Sequence, residues 1–219
     1  EREVTLLLVV DQSGSTHFGT PRSKAAVAVE VAAILALAAA NTNDRAGALL
    51  FSDRVERVIP PAKGRRHALR VIRDLVAFQP QGRRTNLSAA LHYATELLNH
   101  RSIVVVLSDF LAEGWEQPLR QLGVRHDVVA VAVEDPRETE LPDAGWLDLE
   151  DAETGVRHLV DTGDRRVRGR LRALGEKRRE ERSRAFAAAN VDQVVVSTQA
   201  DYAPALRRAF AQRARRLHR

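Results

Sequence analysis

One apolar run near the start of the chain, residues 4–10, constrains the fold more than any other segment. It has no polar break after Thr5, and a strand without polar alternation is typical of a parallel sheet that is buried on both faces. The run leads directly into Asp11-Gln12-Ser13-Gly14-Ser15, so we expect this loop at the carboxyl end of a strand. In open α/β sheets, that edge is where ligands bind.

Further apolar and amphipathic segments alternate along the chain. The predicted strands are 47–51, 55–59, 102–108, 128–133 and 194–197, and the predicted helices are 21–40, 67–78, 87–99, 115–122, 165–189 and 202–217. Pro60 and Pro61 are expected to end the strand at residue 59. The Asp-, Glu-, Pro- and Gly-rich stretch 134–161 predicts an irregular connection with one edge strand or hairpin. This alternation favours an α/β fold with parallel pairing and helices on both faces of the sheet.

The composition suits a single domain over residues 1–219, since 44% of the residues are hydrophobic and one sizeable core can form. The chain has no cysteine, which excludes disulfides and thiolate zinc sites and agrees with the cytoplasmic location that we expect. No membrane span is predicted, because the longest apolar stretch, 25–40, contains Glu30 and is expected to be a buried helix. The chain begins almost on a core strand, so we expect it to be the carboxyl-terminal part of a longer polypeptide.

Two later residues are predicted to lie at the same edge of the sheet as the first loop. Thr85 opens a helical pattern, and Asp109 follows a buried strand. Each is ordinary turn or cap chemistry when taken alone. Their joint occurrence at matching element ends favours a divalent metal site, because hydroxyl and carboxylate oxygens suit Mg²⁺ or Mn²⁺. The candidate metal ligands are Asp11, Ser13, Ser15, Thr85 and Asp109.

Four neighbours of these residues are candidates for a partner-binding rim: His17, Phe18, Arg83 and Arg84. Positive side chains around such a site attract an acidic partner and speed the encounter. The alternatives are that the arginines are simply solvated and that Phe18 is a buried anchor of its loop. Residues 135–138 could supply further polar groups near the carboxyl edge of the sheet, but we favour the simpler role of terminating the preceding strand.

The pattern Asp11-x-Ser13-x-Ser15, followed by Thr85 and Asp109, resembles the metal-ion-dependent adhesion site (MIDAS) of von Willebrand factor type A (VWA) domains. The likeness continues through DRAGALLFSD, TNLSAAL, SIVVVLSDF, RHDVVAVAVEDPRETELPD and DAETG, which are similar to the bacterial VWA-like family called domain of unknown function 58. The resemblance implies the VWA fold, an α/β, Rossmann-like, doubly wound and mostly parallel sheet in the order 3-2-1-4-5-6 with helices on both faces.

The same resemblance implies a function in protein binding. A MIDAS-type Mg²⁺ captures an acidic residue of a partner protein, and a MoxR-type AAA+ ATPase is the expected partner of an adaptor or assembly factor in this family. Catalysis is not expected, because the nucleophile-elbow, phosphate-loop and dinucleotide motifs are absent.

Three alternatives follow from the residues themselves. A metal-assisted hydrolase would need a general base, for which His17 is the only obvious candidate. An aspartyl phosphotransferase would need a second acid at position 13 and a supporting lysine, but that position is Ser13 and none of the three lysines is predicted to be near. Nucleic-acid binding by the Arg-rich residues 165–219 is disfavoured by their few aromatic side chains, and a solvated helix face or one packed on an acidic partner is favoured instead.

Overall fold

A computed structural model describes residues 3–17 and 22–209 as alternating strands and helices. The strands are β1 (Thr5–Asp11), β2 (Arg45–Phe51), β3 (Val55–Lys63), β4 (Ile103–Ser108), β5 (Asp127–Glu134), β6 (Trp146–Glu150), β7 (Arg157–Asp161) and β8 (Asp192–Ser197). The helices are α1 (Lys24–Asn41), α2 (Arg65–Val76), α3 (Leu87–Leu97), α4 (Glu116–Arg125) and α5 (Arg165–Ala188). Residues 203–209 are also helical, and positions 210–217 of the helix predicted over 202–217 lie outside the described residues.

Within the described part of the chain, six strands form the main sheet in the order β3-β2-β1-β4-β5-β8. All neighbouring pairs are parallel except β2 with β3, which is antiparallel at one edge. The predicted α/β fold and its strand order are therefore confirmed. The last strand of the sheet is the eighth along the chain because the β6–β7 hairpin comes before it.

The core consists of two apolar layers, one on each face of the sheet. On β1, the side chains of Leu6, Leu8 and Val10 join the layer under α1 and α2. The alternate residues Leu7 and Val9 join the layer under α3, α4 and the end of α5. The first strand is thus buried on both faces, as its unbroken apolar run predicts.

The apolar helix α1 lies directly after the first loop. It begins where the Ser23 side chain accepts a hydrogen bond from the Ala26 amide at 3.1 Å. Among the described residues, it is the one helix whose length and composition would let it cross a membrane. Its residues Val27, Val31 and Leu35 are buried in the core, as expected for the stretch 25–40.

The prediction that Pro60 and Pro61 end β3 was wrong, because the strand continues to Lys63. β3 is an edge strand, where an absent amide proton on the open side costs no ladder bond. Its register with β2 also shifts around Gly47, where a Cβ atom would lie 2.7 Å from the Ile59 carbonyl oxygen. Glycine on β2 therefore makes room for the irregular proline segment.

The predicted irregular connection contains a hairpin, β6–β7, and not an edge strand of the main sheet. Its two strands pair only with each other in the described structure. One face of the hairpin is open to solvent, with Trp146 66% and Leu159 68% exposed. The hairpin is thus separate from the main sheet, and few of its side chains are buried.

Candidate metal site

Two carboxylates meet at the carboxyl end of the central strands. Because β1 and β4 are parallel neighbours, Asp11 ends one strand next to Ser108 of the other, and Asp109 follows immediately. The Ser108 hydroxyl donates to Asp11 Oδ2 at 2.6 Å. Asp11 and Asp109 are 0% and 2% exposed, so both acidic groups are held in the protein interior.

The loop after β1 directs its two serine hydroxyls toward each other. Ser13 Oγ and Ser15 Oγ lie 3.2 Å apart, and the Ser13 amide donates to Asp11 Oδ1 at 2.9 Å. A short 3-10 helix, Gly14–His17, follows, and the Thr16 hydroxyl donates to the Ser13 carbonyl oxygen at 2.7 Å. These bonds fix the loop so that both hydroxyls lie beside the carboxyl end of β1.

Thr85 lies on the loop that contacts this first loop. The Gly14 amide donates to the Arg83 carbonyl oxygen at 2.7 Å, two residues before Thr85. A Cβ atom at Gly14 would lie 2.8 Å from that oxygen and 2.6 Å from the Ala152 carbonyl oxygen, so only glycine fits between the two segments. Asn86 then caps α3 by accepting from the Ala89 amide at 3.0 Å.

The surroundings of Asp11 disfavour its ionised form. Removal from water, and then the negative charge of Asp109, raise the pKa of Asp11 to about 7, despite hydrogen bonds from Ser108 and Ser13 that favour the charged form. A group perturbed in this way is a marker of functional sites. Positive charge nearby would favour the ionised form of Asp11.

Part of that positive charge comes from Lys24, which is 1% exposed. Its ammonium donates to Asp109 Oδ2 at 2.7 Å and also pairs with Glu138. Burial opposes the charged form, but the negative charges of Asp109 and Glu138 outweigh it and raise the pKa of Lys24. Burial raises the pKa of Glu138 as well, although Lys24 opposes this change.

Two predictions about the surroundings of the site were therefore wrong. No lysine was predicted near the acidic residues, yet the long side chain of Lys24 reaches Asp109 from the first turn of α1. For residues 135–138 we favoured a strand-ending role over a supply of polar groups to this edge, yet the half-buried Glu138 pairs with Lys24 and extends the charge cluster. Asp135 does cap the 3-10 helix Pro136–Glu138, accepting from the Arg137 amide at 2.8 Å.

The donor chemistry fits a hard divalent cation. Both Asp11 oxygens accept hydrogen bonds, and Asp109 accepts from Lys24 and from the Leu111 amide at 3.1 Å, so neither carboxylate is free to close around an ion as a bidentate ligand. The described residues include no group of three or more His, Cys, Asp or Glu arranged to hold a metal. Any cation here would rely on the hydroxyls of Ser13, Ser15 and Thr85, with the carboxylates in support.

The backbone after Asp109 adopts an uncommon conformation. Phe110 has a φ of 56° although it is not glycine, and its amide donates to Ser108 Oγ at 3.1 Å. Its ring packs edge-on against Trp115 and Phe186, with centroids 5.3 and 4.9 Å away. Aromatic packing on α5 therefore holds the strained turn that places Asp109.

Three of the four predicted rim residues are described, and all three are exposed: His17, Arg83 and Arg84. The His17 Nδ1 atom lies 3.1 Å from the Ser13 carbonyl oxygen, which keeps its ring close to the first loop. Phe18 lies outside the described residues. These exposed residues therefore lie on the two segments that adjoin the site, the first loop and the loop before α3.

A cavity of about 390 Å³ opens beside the site, bordered by Ser15 and Asp109 at one end. Its apolar surface comes largely from five leucines, interspersed with charged residues: Leu111, Leu141, Leu149, Leu171 and Leu174. Arg182 also lines it, pairing with Glu134 and donating to the Asp109 carbonyl oxygen at 3.4 Å. The site thus adjoins an apolar recess.

The basic helix α5 packs against acidic residues that precede it in the same chain. Arg179 lies 3.0 Å from Glu134, and Arg168 lies 3.2 Å from Asp143. Arg172 lies 3.8 Å from Glu140. The acidic partner that the sequence suggested for this helix face is therefore, at least for these arginines, the chain itself.

A parallel sheet with one antiparallel edge strand, and an Asp-x-Ser-x-Ser loop at its carboxyl end, define a VWA-like domain. The model of DUF58, described as a protein of unknown function, matches residues 1–181, and the chain belongs to this family. The Mycobacterium tuberculosis protein Rv1480 is 37% identical over 160 residues, which are 71% of this chain and 50% of Rv1480. The chain thus spans half the length of that curated relative.

Two solved structures are similar in fold. BatB from Bacteroides thetaiotaomicron has a TM-score of 0.64 and 16% identity, with 97% of this chain and 99% of that chain covered. An aerotolerance-related membrane protein from Bacteroides fragilis, solved with multiple mutations to serines, has a TM-score of 0.61 and 16% identity, covering 89% and 92% of the two chains. At this level of identity, the similarity concerns the fold alone.

Proposed function

We propose that this domain binds Mg²⁺ or Mn²⁺ and uses the ion to capture an acidic residue of a partner protein. Ser13, Ser15 and Thr85 are the proposed direct ligands, with Asp11 and Asp109 in support. The observation that carries the proposal is the pair of buried carboxylates beside two converging serine hydroxyls, with one buried ammonium between Asp109 and Glu138. Burial and, after it, the negative charge of Asp109 raise the pKa of Asp11, and a further cation would offset that charge.

A metal held by few anionic ligands stays electrophilic and favours one more carboxylate from outside. The exposed His17, Arg83 and Arg84 would attract such a group over distances of about 10 Å at moderate salt. The aliphatic recess beside Ser15 would accept an apolar side chain that neighbours the acidic residue in the partner. We therefore infer a protein ligand with an acidic residue close to an aliphatic one.

We infer that binding, and not catalysis, is the activity of the site. A hydrolase would need a general base beside the metal-bound water. His17 is exposed and directs Nδ1 at the Ser13 carbonyl oxygen, and Lys24 is paired with two carboxylates. Lys24 is thereby held as an ammonium and is not a base. His17 contacts the loop through Nδ1 alone, so turnover that is lost in His17→Ala would favour a hydrolase.

We further propose that the domain acts in the cytoplasm as an adaptor or assembly factor for a MoxR-type AAA+ ATPase. The resemblance to the family supports this partner, and the absence of cysteine agrees with the compartment. Nucleic acid is a weaker candidate, because Arg168, Arg172 and Arg179 of α5 already pair with acidic residues of the chain.

The test is calorimetric titration with MgCl₂ and with MnCl₂. We expect one site in the wild type, and no binding after Ser13→Ala, which removes a direct ligand. The matched control is Ser183→Ala, because Ser183 is an exposed serine on α5 that bonds Gln193 at 3.0 Å. A wild type that takes up neither ion, or a Ser13→Ala variant that binds as tightly as the control, would refute the metal site.

Binding to a MoxR-type AAA+ ATPase is tested by mixing the purified ATPase with the purified domain. We expect binding in Mg²⁺ that is lost in chelator and in Ser13→Ala, but retained in Ser183→Ala. Equal binding under all of these conditions would show that the metal has no part in recognition.

A further inference from the structure

The tip of the β6–β7 hairpin, residues 151–155, is built to hold one conformation. Asp151 Oδ1 accepts from the Glu153 amide at 2.9 Å and from the Thr154 amide at 2.8 Å. These bonds lower the pKa of the Asp151 carboxyl, and Gly155 completes the turn with a φ of 72°. The tip is therefore preorganised although it is exposed to solvent.

This tip lies on the candidate metal site. The Ala152 carbonyl oxygen occupies the space next to Gly14, where a Cβ atom would approach it to 2.6 Å. Glu153 is half-buried, whereas its neighbours on the tip are exposed. Its Oε1 atom accepts a hydrogen bond from the hydroxyl of Thr85.

A carboxylate of the chain thus already contacts one of the proposed metal ligands. An acidic residue of a partner would have to reach the same region in order to bind the ion. We propose that Glu153 is itself a metal ligand, and that its carboxylate takes the coordination position that the proposed function leaves open. The inference rests on that function and adds a regulator to it, because a partner must first displace Glu153.

The hairpin is suited to being displaced. It has no strand pairing with the main sheet in the described structure, so its movement breaks no ladder hydrogen bond. Its outer face carries the exposed side chains of Trp146 and Leu159, on which a partner can pack. When a site is open for only a fraction of the time, the apparent affinity for its partner equals the affinity of the open site multiplied by that fraction.

The experiment measures Mn²⁺ affinity by calorimetry and the hydration of bound Mn²⁺ by water-proton relaxation. The variants are Glu153→Gln and Glu153→Ala, and the matched control is Asp148→Asn. Asp148 is an exposed acid on the same hairpin, 3.5 Å from Arg157. All three substitutions remove one negative charge from the hairpin, so long-range charge alone cannot separate them.

We expect Asp148→Asn to match the wild type in affinity and hydration. Both Glu153 variants should bind Mn²⁺ at least about tenfold more weakly. Their bound ion should hold about one more water, because octahedral ions refill a vacated position with solvent. Added acetate should displace that water in the Glu153 variants and leave the wild type unchanged.

The outcomes separate this inference from the function on which it rests. Mn²⁺ binding with the same affinity and hydration in all four proteins would overturn the role of Glu153 and leave the metal site standing. Failure of every protein to bind Mn²⁺ would overturn both. Faster amide exchange over residues 146–161 in the Glu153 variants, without metal, would support the contact with Thr85 as the hairpin's anchor, and unchanged exchange would argue against it.

Discussion

Asparagine in place of Asp11 is expected to make the metal-free protein more stable at pH 8 while abolishing metal binding. The change keeps the size of the side chain and leaves one oxygen to accept from the Ser13 amide, as Asp11 does at 2.9 Å. The Ser108 hydroxyl, which now donates to Asp11, can rotate and accept from the new amide group. The variant therefore removes charge with little change in packing.

The magnitude follows from the pKa of Asp11, which burial and the charge of Asp109 raise from 3.8 to about 7. A carboxyl whose pKa is higher in the folded state binds its proton more tightly there. The stabilisation of the folded protein that comes from this tighter proton binding at Asp11 is complete below about pH 4 and is lost as the pH rises through 7. At about 1.4 kcal/mol per pKa unit, the loss has an upper limit of about 4 kcal/mol. Relaxation of the interior reduces this, so we expect a gain of about 2 kcal/mol from Asp11→Asn at pH 8.

The assay is urea unfolding at pH 5 and pH 8, with chelator and with Mg²⁺. With chelator, Asp11→Asn should exceed the wild type at pH 8, and the difference should shrink at pH 5, where Asp11 is protonated. Mg²⁺ should stabilise the wild type at pH 8 and have no effect on the variant. Asp148→Asn, at an exposed acid, should follow the wild type in every condition. A metal-free Asp11→Asn protein that is less stable than the wild type at pH 8 would refute the electrostatic argument.

Two further substitutions test the surroundings of the site. In urea unfolding, Lys24→Met should lower the free energy of unfolding by about 3–5 kcal/mol, because it leaves the buried Asp109 and the half-buried Glu138 without their cation. The control Lys177→Met, on the exposed surface of α5, should have little effect. Equal losses in the two variants would contradict this account. Gly14→Ala should lower the melting temperature and weaken Mn²⁺ binding, because its Cβ atom would meet the Ala152 carbonyl oxygen at 2.6 Å. The control Gly169→Ala has open space and lies within α5, so it should stabilise the protein by about 1 kcal/mol.

The part of the site that the sequence could predict is local or follows from sheet topology. Asp11 ends β1, whose burial on both faces is visible in its composition, and Ser13 and Ser15 follow in the next loop. Asp109 follows β4, and consecutive parallel strands of an open sheet place their carboxyl ends at one edge. The hydrophobic pattern and the order of the strands and helices are therefore enough to predict where these residues lie.

The remaining residues depend on packing that no local pattern encodes. Lys24 reaches the site only because α1 docks with its first turn beside β4, and a lysine in a first turn is ordinarily solvent-exposed. Glu138 and Glu153 come from long connections whose path is set by tertiary contacts. The continuation of β3 through Pro60 and Pro61 was missed for a related reason. Only the assembled sheet shows that β3 is an edge strand and that Gly47 leaves room for its proline segment.

The separation of the hairpin from the sheet has a consequence for how such a module can diversify. In the described residues the six-stranded sheet receives no strand-pairing hydrogen bonds from β6 or β7, so exposed positions of the hairpin are less constrained than the interior. A relative with a neutral residue in place of Glu153 would keep the same architecture but present a permanently accessible ion. Under the proposed role of Glu153, sequence drift in one surface loop would convert a gated site into an ungated one.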